Sequence, residues 1–310
     1  MGSKVSCLEM TTRKTWEFQT EPLRRSHSAK PEDAMKSVVK IQAVWRGFCI
    51  RKKYNLKSLP HLLTPQAQIA EKKLGPLFLK EAPVKGTYDK KAVRVSDNEI
   101  YQGEWKNGVR HGKGVQVWQD GKKYEGFWYK DKKHFYGRLI HSNGDVYEGD
   151  WKHDCANGWG VFVHLDGAKY EGEWERDKQH GQGNEVWPDG ASYSGQYLEG
   201  QKHGFGEFNW ADGSWYKGEF AHNNIHGQGI YSWGDGRSYT GSWMNNKMHG
   251  FGTFRWPDGR KYTGYYYLDK KHGEGTFQCS DGNSFIAKWV HGKILEEELV
   301  EYIGKSQFLE

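Results

Sequence analysis

Cysteine and long apolar runs are scarce in this 310-residue chain, and both shortages exclude classes of protein. The four cysteines, Cys7, Cys49, Cys155 and Cys279, form no C-x-x-C pair. Their scatter argues against a zinc site and against a disulfide framework, and it suits a reducing cytoplasm. No apolar run approaches the roughly 20 residues that a membrane-spanning helix needs, and the N-terminus lacks the apolar core of a signal peptide.

Proline is also rare, with 8 residues, whereas glycine is abundant at 40 and aromatic residues make up 15% of the chain. The mean hydropathy of −0.92 is low enough to suggest disorder, but disordered chains are poor in aromatic residues. Many turns combined with many rings indicate an architecture that buries its rings locally, repeat by repeat.

Charge is distributed unevenly along the chain. Residues 1–95 contain 20 Lys and Arg against 8 Asp and Glu, whereas the remainder contains 25 against 31. A basic leader therefore precedes a mildly acidic body. The leader is the segment suited to acidic partners such as anionic lipid or calmodulin-like proteins; the alternative is a solvated basic tail.

A 23-residue period organises the chain from Tyr101 onward. The recurring tyrosines are Tyr101, Tyr124, Tyr147, Tyr170, Tyr193, Tyr216, Tyr239 and Tyr262. Two residues after each tyrosine stands a glycine, and four residues after it stands an aromatic residue. Six of the eight units continue with H-G-x-G, as at residues 111–114, and every unit closes with Asp-Gly or Asn-Gly, as at residues 120–121.

Each unit reads as a β-hairpin. Y-x-G-x-W places Tyr, Gly and Trp on alternate positions, so their side chains share one face of a strand. Asp-Gly is a strong signal for a tight hairpin turn, and H-G-x-G is expected to supply the second reversal. Two short strands cannot bury an aromatic face alone, so the units must stack on their neighbours.

These motifs at this spacing resemble the MORN (membrane occupation and recognition nexus) repeat over residues 97–292. The resemblance implies a mainly β fold, an elongated single-layer antiparallel sheet of eight stacked hairpins curved into an open trough. Residues 84–96 are expected to supply a preceding cap strand. Residues 293–310 are expected to form a short C-terminal capping helix and a tail, because apolar residues from Ile294 to Ile303 recur at helical spacing.

Two adjoining units depart from the pattern. Phe135 replaces the first glycine of H-G-x-G in the second unit, and Asn157 replaces the histidine in the third. These departures indicate either a local bulge or contact face, or tolerated drift.

Seven histidines and seven aspartates recur at fixed points of the array, which raises the question of catalysis or metal binding. Catalysis needs one convergent constellation, and zinc needs three or four ligands around one point, whereas each unit offers one histidine. Both columns are therefore interpreted as turn residues. No catalytic residue, metal or cofactor is expected, and the chain is not expected to be an enzyme.

The aromatic stripe admits two interpretations. The rings supply the core of a single-layer sheet, and some of them also line the trough as contacts for a partner. The candidate contacts are Trp105, Trp128, Trp151, Trp174 and Trp243.

Residues 31–54 read as one α-helix, with a proline and acidic residues in the first turn and a basic last turn. Within it, residues 41–51 match I-Q-x-x-x-R-G-x-x-x-R at every defined position and resemble the IQ motif, which calmodulin and EF-hand light chains grip. The resemblance implies partner contacts by Ile41, Gln42, Trp45, Arg46, Gly47, Phe48 and Arg51. The alternative sites for a basic amphipathic helix are a membrane surface and the chain's own repeats.

Residues 1–30 form a basic leader that begins with M-G-x-x-x-[ST], the myristoylation signal at Gly2, with Cys7 nearby for palmitoylation. A chance match is the alternative. Residues 55–96 link the IQ helix to the array, and a short capped helix is expected between Thr64 and Gly75.

Together these features predict a non-catalytic scaffold that docks a protein or filament along its trough and a calmodulin-like EF-hand protein on its IQ helix. Similar MORN proteins occur in ciliary axonemes, membrane skeletons and cell junctions, so the resemblance implies a cytoplasmic protein of the cytoskeleton or cilium. The rivals are a peripheral membrane protein that recognises acidic phospholipid and a regulatory subunit of a separate enzyme such as a lipid kinase. No nucleic-acid partner is expected.

Overall fold

The computed structural model describes residues 63–77, 79, 89–96 and 99–303. The segments predicted to carry the acylation signal and the IQ helix, residues 1–30 and 31–54, lie outside the described residues. The chain divides into two compact units, with the boundary between Lys178 and Gln179. None of the helical residues described forms a span long and apolar enough to cross a membrane.

The first unit contains helix α1 (Pro65–Leu74) and eight strands. The strands are β1 (Asp89–Ser96), β2 (Glu99–Lys106), β3 (Val109–Trp118), β4 (Lys123–Tyr129), β5 (Lys132–Ile140), β6 (Val146–Lys152), β7 (Cys155–Val163) and β8 (Lys169–Glu175). Each strand pairs antiparallel with the next. β1 lies beside β2, in the region where the sequence predicts a cap strand.

The second unit continues with eleven strands that pair in the same consecutive, antiparallel way. They are β9 (Lys178–Val186), β10 (Ser192–Leu198), β11 (Gln201–Asn209), β12 (Trp215–Ala221), β13 (Asn224–Ser232), β14 (Ser238–Met244), β15 (Lys247–Arg255), β16 (Lys261–Tyr267), β17 (Lys270–Gln278), β18 (Ser284–Val290) and β19 (Lys293–Ile303). The mainly β fold of stacked antiparallel hairpins is confirmed in both units.

Two kinds of turn connect the strands, and only one of them lies at its predicted motif. Asp-Gly closes a short loop, as at Gly121, whose N–H bonds to the carbonyl of Trp118 at 3.0 Å. The second reversal is made by a dipeptide separated by two residues from the H-G-x-G position that follows it. An example is Lys130 and Asp131, with φ of 49° and 66°. Positive φ at both central residues marks the type I′ turn, whose twist matches that of paired strands.

H-G-x-G therefore does not reverse the chain, and that prediction is wrong. The motif lies inside the following strand, at a β-bulge between the pairings Gly103 with Gly114 and Trp105 with Arg110. Its first glycine has a positive φ, 70° at Gly112, which is how the extra residues of the bulge are accommodated.

The predicted C-terminal capping helix is also wrong, because Lys293–Ile303 forms strand β19 beside β18. The chain turns at His291 and Gly292, with φ of 47° and 87°. The N–H of Gly292 bonds to the carbonyl of Lys271 at 2.9 Å, as in the earlier hairpins. This turn directs the chain back along β18, where the unpaired backbone groups of a strand edge favour pairing over a helix.

Helix α1 has a cap at each end, within the segment where the sequence predicts a short helix. Thr64 Oγ1 accepts the Ala67 N–H at 3.1 Å, and Pro65 occupies the first turn. At the other end the Gly75 N–H bonds to the carbonyl of Glu71 at 3.1 Å. The helix packs on the sheet through one apolar cluster of Leu63, Ala67, Ala70, Val117, Ile140 and Val146.

Candidate partner-binding surface

One side of the sheet, called here the tyrosine face, carries the tyrosine of every repeat. All eight tyrosines from Tyr101 to Tyr262 are at most 3% exposed. Their hydroxyls donate to the backbone carbonyl three residues later, for instance Tyr239 to Ser242 at 3.0 Å. Burial raises the pKa of the Tyr239 hydroxyl above its ordinary value. The tyrosines are therefore neutral packing residues.

A row of paired glycines lies under these rings. In each pair, one glycine comes from Y-x-G-x-W and the other is the last glycine of H-G-x-G. Gly241 pairs with Gly252 across β14 and β15. A Cβ on Gly241 would lie 2.5 Å from the Cα of Gly252 and 2.7 Å from the carbonyl oxygen of Phe251. Because no side chain fits there, the tyrosine ring can lie directly on the backbone.

The five predicted contact tryptophans belong to the same layer. Trp128, Trp151, Trp174 and Trp243 are 2–6% exposed, and Trp105 is half-buried. Tyr124 shows the arrangement, since it meets Trp128 and Trp151 edge-on at centroid distances of 5.1 and 5.4 Å. Such contacts between neighbouring hairpins supply the core that a single hairpin lacks. Direct contact between these tryptophans and a partner stays a prediction.

Where the second residue of a type I′ turn is Asp or Asn, it joins its hairpin to the preceding one by a pair of hydrogen bonds, called here a turn clip. Asp154 Oδ1 accepts the Lys133 N–H at 2.8 Å, and the Asp154 N–H bonds to the Lys133 carbonyl at 3.0 Å. The same pair of bonds joins Asp131 to Arg110, Asp177 to Ala156, Asn223 to Lys202, Asn246 to Ile225, and Asp269 to Met248. This column was not predicted, although Asp or Asn at a 23-residue spacing was visible in the sequence.

Four of the histidines at the first position of the H-G-x-G motif, His111, His134, His249 and His272, lie against tyrosine rings. His111 is buried and lies 5.0 Å from the Tyr129 ring, and His249 lies 5.3 Å from the Tyr267 ring. Across the part of the chain that the structure describes, no group of three or more His, Cys, Asp or Glu is placed to hold a metal ion. Their geometry is that of packing residues along the hairpin edge.

Lysines fill a second packing position on the tyrosine face. Lys271 Nζ lies 4.5–5.2 Å from four ring centroids, those of Trp256, Tyr262, Phe277 and Trp289. Burial lowers the pKa of Lys271 to about 8. The equivalent residues are Ile225 two repeats earlier and Met248 one repeat earlier. The aliphatic part of the lysine side chain therefore occupies an apolar site, and its ammonium group makes cation–π contacts with the rings.

The other side of the sheet, called here the reverse face, carries the third residue of each H-G-x-G. These residues are Lys113, Tyr136 and Trp159 in the first unit and Gln182, Phe205, Gln228, Phe251 and Glu274 in the second. The four aromatic members are exposed, by 37% at Tyr136, 49% at Trp159, 66% at Phe205 and 53% at Phe251. Within each unit, exposed rings at this repeated position indicate a contact surface. The sequence motif left this position undefined, so the rings were not predicted.

Helix α1 and the segment after it cover the reverse face over β3 to β5. Lys123 is buried there and pairs with Glu71 of α1. Arg138 donates to the Gly75 carbonyl at 2.7 Å, and Lys113 to the Leu79 carbonyl at 3.4 Å. Basic side chains of the sheet thus hold the backbone that leaves α1.

The irregular Phe135 lies close to this cover. It has a φ of 59°, the conformation that glycine holds at the equivalent Gly112, and it meets the buried Phe127 edge-on at 6.4 Å. In the preceding unit the residue at the Phe127 position is Glu104, which accepts the Lys113 N–H at 2.9 Å. An apolar pair replaces this polar contact, and Lys113 extends over Phe127 toward Leu79.

Comparison with known families explains the period. The MORN repeat profile matches residues 101–123, 124–146, 147–169, 170–192, 193–215, 216–236, 239–259 and 262–284, more than half of the chain. The chain belongs to the MORN repeat family. The IQ calmodulin-binding motif matches residues 35–55 of this MORN protein. Both families are non-catalytic binding modules, which supports a binding or scaffold role and an EF-hand partner such as calmodulin.

Searches among curated proteins found no match for this MORN protein. Solved structures that match include the TCP domain of SAS-4 (dCPAP) of Drosophila melanogaster in complex with a proline-rich motif of Ana2 (dSTIL). It is 11% identical, with a TM-score of 0.30, and the match covers 69% of this chain and 99% of that chain. The TCP10 domain of Danio rerio CPAP in complex with a STIL peptide is 16% identical, with a TM-score of 0.25 and coverage of 64% and 97%. At these TM-scores the likeness carries no functional weight.

Proposed function

We propose that this MORN protein is a scaffold that holds an EF-hand protein on its IQ motif and a second protein or filament along its repeats. The observation that carries the second half is the exposed aromatic pair of Phe251 and Tyr265 on the reverse face of the second unit. The two residues are direct partners on β15 and β16, their ring centroids are 5.4 Å apart, and each is just over half exposed.

The surroundings of this pair resemble a binding hot spot. Thr253 and Thr263 lie on the same face one pairing position along, with their hydroxyl oxygens 3.1 Å apart. Rings at the centre with hydroxyls beside them combine apolar contact with hydrogen-bonding groups at the rim. Aromatic side chains have few rotatable bonds, so binding orders few groups.

Co-sedimentation tests the repeat half of the proposal. We propose a cytoskeletal filament, first of all the ciliary axoneme, as the class of partner, and polymerised tubulin is the probe. Wild-type chain is expected to pellet with microtubules, and Phe251→Ala with Tyr265→Ala is expected to remain in the supernatant. The matched control is Leu198→Ala, another exposed apolar residue of the second unit. If the wild-type chain stays in the supernatant, the proposal that microtubules are the partner is wrong.

The IQ half assigns direct contacts with calmodulin or a light chain to Ile41, Gln42, Trp45, Arg46, Gly47, Phe48 and Arg51. Ile41→Ala with Arg46→Ala removes one apolar anchor and one cation, and is expected to abolish recovery of calmodulin on the immobilised full chain. Phe251→Ala serves as the control, because it changes a ring of the array and leaves the motif intact. Recovery equal to wild type would count against the IQ assignment.

A second candidate function is peripheral membrane binding, which the acylation signal at Gly2, the thiol of Cys7 and the basic leader favour. One acyl chain binds membranes only marginally, so Cys7 or the basic surplus would supply the second signal. Flotation with phosphatidylserine vesicles compares myristoylated wild type with Gly2→Ala. Membrane binding requires that wild type floats and the variant does not; wild type that fails to float excludes this function.

A further inference from the structure

The reverse face of β6, β7 and β8 forms an acidic surface around one exposed ring. Trp159 lies at its centre, on β7, and is 49% exposed. Glu148 and Asp150 flank it from β6, and Glu171 and Glu173 from β8. These five residues are called the acidic tryptophan surface.

Part of this charge is paired within the sheet, whereas Asp150 Oδ2 accepts the backbone N–H of Trp159, an uncharged donor, at 3.0 Å. Glu148 pairs with Arg138 at 2.7 Å, and Glu171 pairs with Lys169 at 2.6 Å. Lys169 and Glu171 are both more than 40% exposed, and such surface pairs contribute little. By strand alternation, β6 to β8 present five carboxylates and two lysines on this face, those of Glu148, Asp150, Glu171, Glu173, Glu175, Lys152 and Lys169. This surplus of negative charge favours a ligand that is basic and also carries apolar side chains.

A segment of this chain has that composition. Residues 35–55, which the IQ profile matches, contain six Lys and Arg and no Asp or Glu. Ile41, Trp45 and Phe48 supply large apolar groups within the same segment. The charges of segment and surface are therefore complementary, and Trp159 offers a ring for the apolar groups.

The length of chain between this segment and α1 allows the segment to reach the same face. Leu63 and Thr64 begin the α1 region on the reverse face, where Thr64 Oγ1 donates to the carbonyl of Ser142, in the loop that leads into β6. The eight residues from 56 to 63 span at most about 28 Å when extended, whereas three strands cover roughly 10–15 Å. Residues 35–55 can therefore reach β6 to β8, next to the part of the face that α1 already covers.

We infer that, without an EF-hand protein, residues 35–55 dock on the acidic tryptophan surface of their own chain. The inference rests on the proposed IQ function, because its consequence is competition between the sheet and the EF-hand protein for residues 35–55. The same basic and apolar side chains serve both the sheet and the EF-hand protein, so binding of calmodulin uncovers Trp159 and its carboxylates. The EF-hand partner thereby controls access to one surface of the repeats.

Calmodulin affinity of full-length variants tests the competition. Trp159→Ala with Glu171→Lys removes the central ring and reverses one charge at exposed positions, so the fold should persist. If about nine-tenths of the chain is docked, the variant should bind calmodulin roughly tenfold more tightly than wild type by calorimetry. The control, Leu198→Ala with Glu274→Lys, removes one exposed apolar side chain and reverses one charge in the second unit, and should match wild type. Affinities of both variants within twofold of wild type would overturn the inference.

Cross-linking tests the docking without relying on calmodulin. Carbodiimide should join Lys36, Lys40, Lys52 or Lys53 to Glu171 or Glu173 within one chain, read by mass spectrometry on a mixture of isotope-labelled and unlabelled protein. Calmodulin should suppress these links. Absence of the links, or links only between labelled and unlabelled chains, refutes intramolecular docking. Links in a chain that does not bind calmodulin support the docking and refute the proposed EF-hand function, so the two failures are distinguishable.

Discussion

The hydroxyl of Tyr239 lies above the backbone of Gly252, and a methyl group on that glycine would overlap the tyrosine ring. The ring is fully buried and receives Trp243 and Tyr266 edge-on at 5.0 and 5.2 Å. The core of a MORN hairpin is thus one ring thick, with bare backbone below it. Substitutions of the paired glycines should therefore lower the free energy of unfolding, and any effect on partner binding should follow from that loss of stability.

Replacing Gly252 by alanine tests this relationship. The methyl group must displace the Tyr239 ring or separate β14 from β15, so the free energy of unfolding should fall by about 1–3 kcal/mol. Thr240→Ala, at an exposed position of β14 on the reverse face, should change it by no more than about 0.5 kcal/mol. Urea denaturation followed by circular dichroism measures both. Equal losses in the two variants would contradict the close approach.

The turn clips make a separate prediction. Asn246→Gly removes the side-chain oxygen that accepts the Ile225 N–H at 2.8 Å, but keeps the positive φ that Gly200 holds at the equivalent turn. Loss of this acceptor should cost about 1–2 kcal/mol. Amide hydrogen exchange should become faster at Ile225, whereas Asn245→Gly, at the exposed first turn residue, should leave it unchanged. Unaltered protection at Ile225 would show that the clip is not needed.

The lowered pKa of Lys271 predicts that the stability of the folded chain depends on pH. Its pKa is lowered from 10.5 to about 8 in the folded chain, so between pH 8 and 10.5 the unfolded state binds more protons and stability rises with pH. Below pH 8 the cost of burying the charge is complete. Lys271→Met, which copies Met248, should therefore raise the melting temperature most at pH 7, and the gain should shrink from pH 8 to 9.5. Lys270→Met, at an exposed neighbour, should give a constant difference; a constant difference for Lys271→Met would rule out the desolvated charge.

The packing of α1 on the sheet can be tested by introducing a charge at a buried position of the helix. Ala67 is fully buried against the sheet, so Ala67→Glu must either bury an unpaired carboxylate or release the helix. Release should make the bonds of residues 63–77 cleavable by trypsin several-fold faster. Gln66→Glu adds the same charge at an exposed first-turn position, where the helix dipole tolerates it, and should not alter cleavage. Equal cleavage of the two variants would argue against docking.

Several features could be predicted because they depend on a few neighbouring residues. Alternation along a strand places Tyr101, Gly103 and Trp105 on one face, and Asp-Gly specifies a turn whatever surrounds it. The caps of α1 at Thr64 and Gly75 are local in the same sense. Strand pairing in stacked hairpins followed from the 23-residue period alone.

Other features could not be read from local pattern. The apolar spacing from Ile294 to Ile303 favoured a helix, but the free edge of β18 decided for a strand. The second reversal lies at dipeptides such as Lys130 and Asp131, where an αL backbone pair is recognisable only once its bond to the preceding hairpin is seen. The sequence left Phe135 open between a contact and tolerated drift, and only the structure shows its contact with Phe127, close to the chain that leaves α1.

The amino-acid sequence by itself determined the repeat, the family and the aromatic identity of the core, since period, turn chemistry and side-chain alternation are properties of the chain. Only the tertiary structure decided which rings are core and which are surface. Trp151 and Trp159 are eight residues apart in one repeat, yet one lies under its neighbours on the tyrosine face and the other stands among carboxylates on the reverse face. Burial depends on what adjacent strands and α1 place over each ring, and those contacts join residues far apart in the chain.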